Sequence, residues 1–228
     1  MRIPHVASEP AILYFGTPVV LVSTTNEDGS ANLAPISSVF WLGWRAMLGI
    51  DGTSKNTANL RRTRECVLNL PADDAVGAVN RLARITGSDP VPEHKLSRGY
   101  RYEPRKFEAA GLTPVRSETV RPPRVLECPV QMEAVVTAEG SLAGDDDLLR
   151  GRLITFSVRI QRVHLDPAIL LDGQPDRVDP DKWRPLIMSF QEFYGLRPAK
   201  LHHSTLGRIP EHSYLTPDTE RARHAPVR

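Results

Sequence analysis

Residues 18–38 read Pro18-Val19-Val20-Leu21-Val22-Ser23-Thr24-Thr25-Asn26-Glu27-Asp28-Gly29-Ser30-Ala31-Asn32-Leu33-Ala34-Pro35-Ile36-Ser37-Ser38, and the fold turns on this stretch. The β-branched run at 19–25 fits a pleated, half-buried surface. Asp28-Gly29 behind it is a strong hairpin signal, because glycine takes the positive φ that a tight turn requires. The return strand then begins near Ser30, and a third follows from about Arg45 to Asp51, so three adjacent antiparallel strands are expected. Pro35 donates no ladder hydrogen bond, which puts its strand at a sheet edge or a bulge.

Downstream the period changes. Ala58, Leu60 and Arg61 read as a short helix before a strand at 66–70, with Ser54 or Thr53 as its N-cap. A second helix fits 72–85, where Ala75, Val76, Val79, Leu82 and Ala83 share one face. Residues 87–123 are rich in Pro, Gly and charge and read as an irregular excursion, a lid or interface arm, with a short helix at 106–110. Two long strands follow. Val130, Met132, Ala134, Val136 and Ala138 alternate with Gln131, Glu133, Thr137 and Glu139, and Ile154, Phe156, Val158 and Ile160 alternate with Thr155, Ser157, Arg159 and Gln161. The acid run Asp145-Asp146-Asp147 between them lacks the spaced ligands of a calcium loop and reads as a solvated hairpin tip. Many strands with long hairpins and no regular β-α-β alternation indicate a mainly β fold with peripheral helices, an antiparallel β-barrel in one domain. Residues 171–228 form a Pro- and Arg-rich extension expected to pack on the barrel or on a partner subunit, chiefly through 182–194.

Composition excludes some functions. A formal net charge of +2 over 228 residues gives no field for nucleic acid, and Arg61, Arg62 and Arg64 lack interleaved aromatics. The apolar stretch at 11–22 is broken by Gly16 and Pro18, so no membrane span is expected. Residues 1–10 hold no continuous apolar run, so no secretory leader is expected and the cytoplasm is the expected compartment. Cys66 and Cys128 lie in apolar strand-like runs, as buried thiols in a reducing compartment would. Neither a G-x-G-x-x-G nor a G-x-x-x-x-G-K-[ST] motif occurs, nor H-E-x-x-H. The adjacent His202-His203 would diverge in a strand and chelate poorly, so no metal site and no catalytic residue is proposed from the residues.

Two segments carry candidate chemistry. Gly52-Thr53-Ser54-Lys55-Asn56-Thr57 places hydroxyls and one ammonium at a helix start, where free N–H groups and the helix dipole favour an anion such as a phosphate monoester. Taken alone, such hydroxyls serve equally as caps. In 32–38, Ala34, Ser37 and Ser38 are small enough for a flat ligand to reach the backbone, and Asn32 offers donor and acceptor to a heterocycle. An ordinary Pro-containing edge strand has the same composition.

The order of these features closely resembles the FMN-binding split-barrel, or flavin reductase-like, family. The resemblance rests on residues 18–24, Asp28-Gly29, residues 32–37, Ser54-Lys55-Asn56-Thr57, and Asn59-Leu60 leading to Val67-Leu68-Asn69-Leu70-Pro71. Lys106-Phe107, Ala110-Gly111-Leu112, Glu127-Cys128-Pro129-Val130 and Glu133 look like its later landmarks. It implies an antiparallel split β-barrel over 1–170, in which Asn32, Leu33, Ala34, Pro35, Ser37 and Ser38 lie along an isoalloxazine, while Gly52, Thr53, Ser54, Lys55 and Thr57 hold the ribityl phosphate. It also implies FMN, with FAD as the alternative, NADH or NADPH as electron donor, a homodimer, and in some members a partner oxygenase. The departure is Phe40-Trp41-Leu42-Gly43-Trp44, aromatic enough either to stack on the ring or to fill the barrel. The function so implied is hydride transfer from nicotinamide to flavin. Alternatives are a non-enzymatic flavin-binding or electron-carrier protein, and a barrel that has lost its flavin.

Overall fold

The β-branched run forms strand β1 (Val20–Thr25), which turns through Asp28-Gly29 into β2 (Ala31–Ile36). Gly29 has φ 84°, and Asp28 Oδ1 accepts from the Ser30 amide at 2.9 Å, which fixes the register. The chain continues into β3 (Val39–Leu42), turns at Gly43 with φ 61°, and returns as β4 (Arg45–Asp51). After helix α1 (Lys55–Thr63) come β5 (Glu65–Leu70) and, later, the long hairpin β6 (Val130–Ser141) and β7 (Leu153–Leu165). These coordinates are a computed structural model describing residues 5–228; the reading of the first ten residues falls partly on 1–4, outside the described residues.

The seven strands form one antiparallel sheet in the order β2-β1-β5-β6-β7-β4-β3. This corrects the expected neighbourhood of the first strands: β4 does not sit beside β2 but at the far end of the sheet. The physical reason is an unrecognised turn, since Gly43 makes β3 and β4 a hairpin of their own, and β4 then pairs with β7. The two outermost strands, β2 and β3, are consecutive in the chain and linked only by Ser37-Ser38, so the sheet must roll until its edges meet. The Gly49 amide bonds the Ser38 carbonyl at 2.8 Å across this seam. The fold is an antiparallel split β-barrel.

Inside the roll, Val20, Val22, Leu48, Leu68, Phe156 and Val158 form the core. A second core lies outside the sheet, where Leu21 and Leu33 meet Val79 and Leu82 of α2 (Val76–Leu82) and, beyond α3 (Glu93–Leu96), Phe107 of α4 (Lys106–Ala110). Strand β1 is thus buried on both faces, which explains its continuous apolar run. The helix expected over 72–85 is shorter, because residues 73–75 form a 3-10 turn whose tighter pitch leaves Val76 37% exposed. Trp41 and Trp44 pack against the inner core, whereas Phe40 and Leu42 face solvent. Cys66 and Cys128 are free and buried, and burial pushes the Cys66 thiol up to about 12 and that of Cys128 upward too. Among the described residues no helix is long and apolar enough to cross a membrane.

The last fifty residues touch the barrel at several places. Leu186 is buried in the outer core, and residues 187–189 pair with Phe15–Pro18 on one side and with residues 192–194 on the other in a three-stranded sheet. Helix α5 (Pro217–Arg223) packs on β7, and Arg45 donates to Asp218 at 2.7 Å. His202 and His203 lie exposed.

The alternation in β6 and β7 buries the expected inner residues except Ala138, and two residues expected on the outer face are buried as well. Gln131 and Glu133 are 7% and 0% exposed, because residues 113–125 fold over them, and Ala138 is exposed beyond a register shift. Glu133 accepts from the Thr119 amide and hydroxyl (both 2.6 Å), the Glu118 amide (2.9 Å) and His164 Nε2 (2.8 Å). Burial alone raises a carboxyl, yet these bonds outweigh it and hold Glu133 at about 2, against an ordinary 4.5. A carboxyl held lower in the folded state stabilises fully above its unfolded value and ceases to as pH falls through the folded one. Glu133→Gln is therefore expected to lower unfolding stability by about 3 kcal/mol at neutral pH. Denaturant melts at a series of pH values will show that deficit fading between about pH 4.5 and pH 2; a deficit independent of pH refutes this account.

Candidate functional site

The seam between β2 and β4 opens into a cleft of about 370 Å³. One wall is Ala34, Pro35 and Ile36 of β2 with Ser37 and Ser38, and the other is Gly49, Ile50 and Asp51 of β4 leading to Ser54, Lys55 and Asn56. β2 is an edge strand, and residues 49–51 of β4 run past the end of its pairing with β3, so outward backbone groups on both walls are available to a ligand. Pro35 sits on the edge strand, as its missing donor requires. Further lining comes from Tyr14, from Leu82 and Ala83 at the end of α2, from the excursion, as Lys95, Arg98, Tyr100 and Lys106, and from the extension, as Met188 and Gln191. A second cavity of about 720 Å³ adjoins it and shares Pro35, Ser37, Arg98, Tyr100 and Gln191.

The start of α1 is positioned by a buried polar web. Ser54 caps the helix by accepting from the Asn56 amide at 3.1 Å, and Asn56 Oδ1 accepts from Thr24 Oγ1 (2.8 Å) and Asn32 Nδ2 (2.6 Å). Asn59 Nδ2 in turn donates to Thr24 Oγ1 at 3.0 Å and to Asn26 Oδ1 at 2.9 Å. The web pins the helix to the β1–β2 hairpin, leaving no buried amide unmatched within it. Gly87 passes so close that a Cβ there would lie 2.4 Å from Asn32 Oδ1 and 3.2 Å from Lys55 Cγ. Gly52 has the same constraint, since its Cβ would meet the Gly151 carbonyl at 2.0 Å.

The residues singled out in the sequence divide into three groups. Ala34, Pro35, Ser37, Ser38, Ser54 and Lys55 line the cleft. Gly52 and Thr53 line an adjacent depression of about 230 Å³, again with Ser54 and Lys55. Asn32, Leu33 and Thr57 lie behind the walls, at most 2% exposed: Asn32 in the polar web, Leu33 in the outer core, and Thr57 donating to the Asp51 carbonyl at 2.7 Å. The Thr53 hydroxyl is likewise taken by the Asp51 carboxylate (2.6 Å), and Lys55 Nζ pairs with Glu27 at 2.7 Å.

Positive charge reaches the cleft from places that strand and helix patterns do not mark. Lys106 is 3% exposed, and burial, with repulsion from Lys95 against attraction from Glu103, pushes its ammonium down to about 7. Burial lowers Lys95 as well, opposed by Asp51. Asp51 is raised by burial but lowered further by Thr53 and His94, whose Nε2 lies 2.9 Å from Oδ2, and it stays below the usual carboxylate range. Lys106 opens the helix expected at 106–110, and Lys95 and Arg98 lie in the expected lid. Nothing local to Gln191 signals its place in the wall. Among the described residues no group of three or more His, Cys, Asp and Glu is placed to hold a metal ion.

Comparison with known proteins adds to this geometry. The Flavin reductase like domain pattern matches residues 12–179. The chain is 38% identical over 194 residues to the uncharacterised protein YdfE of Bacillus subtilis (strain 168), covering 82% of this chain and 87% of that one. Its fold is similar to flavoredoxin of Desulfovibrio vulgaris (Miyazaki F), with TM-score 0.71 and 18% identity, covering 90% of this chain and 100% of that one. It is similar also to nitrilotriacetate monooxygenase component B from Bacillus cereus, with TM-score 0.65 and 21% identity, covering 83% and 88%. With the pattern spanning the barrel, both walls of the seam and the excursion, this chain belongs to the flavin reductase-like domain family.

Proposed function

We propose that the chain binds FMN in the seam cleft and acts as an NAD(P)H-dependent flavin reductase. The observation that carries this reading is the cleft itself, with small residues and exposed strand edge along one side and hydroxyls and cations at the other. Ala34, Ser37 and Ser38 fit a flat heterocycle, and the edge backbone offers donors and acceptors to its polar rim. The Ser54 hydroxyl together with the cations that line the cleft suits a phosphate monoester, which favours FMN over FAD. The flavin supplies the redox chemistry, accepting a hydride from the nicotinamide. The protein's residues bind, orient and keep one face of the ring accessible, and the adjoining cavity has room for the donor. Two buried free thiols suit a reducing, cytoplasmic setting.

The name of the Bacillus cereus neighbour, a monooxygenase component, supports a partner oxygenase as the consumer of reduced flavin here. The flavoredoxin likeness favours the second reading, a non-enzymatic flavin or electron carrier. The two differ in one measurement. Flavin-loaded protein mixed with NADH or NADPH in a stopped-flow cell should lose its visible absorbance rapidly; loss only with a chemical reductant selects the carrier, and a protein that takes up no flavin sinks both.

Ser37→Phe is expected to fill the cleft and weaken FMN by roughly a hundredfold, a loss of about 3 kcal/mol. Fluorescence titration measures it, and an unchanged melting temperature ties the loss to the site; undiminished affinity places the ring elsewhere. We further propose a homodimer, because edge strand β3 leaves Phe40 and Leu42 59% and 81% exposed. Light scattering should give twice the chain mass, and Phe40→Glu with Leu42→Glu should halve it; an undisturbed dimer assigns the contact to another face.

A further inference from the structure

Lys95, Arg98 and Lys106 all line the cleft, and none has an ion-pair partner among the described residues. Lys106 is the most constrained of them. Its side chain is 97% removed from solvent, forms part of the cleft wall, and meets no acceptor within hydrogen-bond distance among the described residues. The residue is buried but its nitrogen is not sealed off, so it can be reached from the cleft, and a cation with so little water and no protein counter-charge favours an anion that enters with the ligand. The seat expected from the sequence, at 52–57, has meanwhile committed its strongest donors to the protein: Lys55 to Glu27, and the hydroxyls of Thr53 and Thr57 to Asp51.

We infer that Lys95, Arg98 and Lys106 form a phosphate seat on the excursion side of the cleft, a conclusion that rests on the flavin reading above. The phosphate comes either from the flavin's own monoester or from the pyrophosphate of the nicotinamide dinucleotide. The charged groups around Lys106 are few: Lys95 and Arg98 from the excursion, Glu103 on its own approach, and Lys55 and Asp51 from the barrel wall. Glu103 is held by Arg101 and the Arg105 amide, Asp51 by Thr53 and His94, and α2 presents only Leu82 and Ala83. With burial holding the ammonium near 7, Lys106 is mostly neutral at about pH 8, and an arriving phosphate dianion raises it. Binding there takes up a proton.

The test is calorimetric titration of the full chain at about pH 8 in two buffers of different ionisation enthalpy, which counts protons. FMN and riboflavin are titrated into flavin-free protein, and ADP-ribose into both flavin-free and FMN-loaded protein. In Lys106→Met, proton uptake should vanish, and one preference should fall at least about tenfold, the equivalent of one charge-assisted hydrogen bond. A fall in the FMN-to-riboflavin ratio assigns the flavin phosphate, and a fall in ADP-ribose affinity assigns the dinucleotide. Arg98→Gln, at an exposed position, should lower the same preference and guards against misfolding of the buried variant. Unchanged preferences in both variants, or proton uptake retained in Lys106→Met, overturn the seat. Failure of FMN and riboflavin alike to bind the unmodified chain refutes the flavin reading instead, and the ADP-ribose arm on flavin-free protein still decides the seat.

Discussion

One run of chain, residues 31–42, supplies both free edges of a seven-stranded sheet, and only Ser37-Ser38 separates the two edge strands. Two extended residues span about 7 Å, so the first and seventh strands cannot be held apart by the width of a flat sheet. The sheet has to roll, and the roll stays open wherever β2 and β4 do not pair. The cleft is that opening. Its walls keep unpaired backbone because β2 is an edge strand and β4 outruns its pairing with β3 beyond Leu48, and β2 contains a proline, which has no N–H to give a ladder.

Polar groups hold the opening in shape. The Thr24, Asn32, Asn56 and Asn59 web fixes the start of α1 against the first hairpin, so the hydroxyl-rich turn meets the seam at a fixed height. Glu133 does the equivalent on the other side of β5, clamping residues 118–119 of the excursion onto the long hairpin. Both are buried and satisfied, which is where hydrogen bonds specify one arrangement over its competitors. The excursion anchored in this way also carries Lys95, Arg98 and Lys106.

The electrostatics of the cleft follow from that placement. Lys55 is neutralised by Glu27 and Asp51 is engaged by Thr53 and His94, so the uncompensated charge lies on the excursion. An anionic ligand meets cations that the protein leaves unpaired, and the helix start contributes geometry more than charge.

The sequence by itself determined six of the seven strands of the large sheet, missing β3, together with the first hairpin, the edge position of the proline, the Ser54 cap and, Ala138 apart, the residues facing the inner core. These are local matters: β-branching, glycine φ, a missing N–H and a period of two each act within a few residues. It also marked Ala34, Pro35, Ser37, Ser38, Ser54 and Lys55, because small side chains at an edge and hydroxyls at a helix start have meaning where they stand. Tertiary structure alone decided that β4 lies at the far side of the sheet from β2, since strand pairing is settled between segments more than a hundred residues apart. It alone buried Asn32, Thr57 and Glu133, whose polarity reads as exposed until other segments fold over them. The cations and Gln191 reach the cleft for the same reason: burial and charge proximity are properties of packed neighbours, and the order of residues along a chain does not contain them.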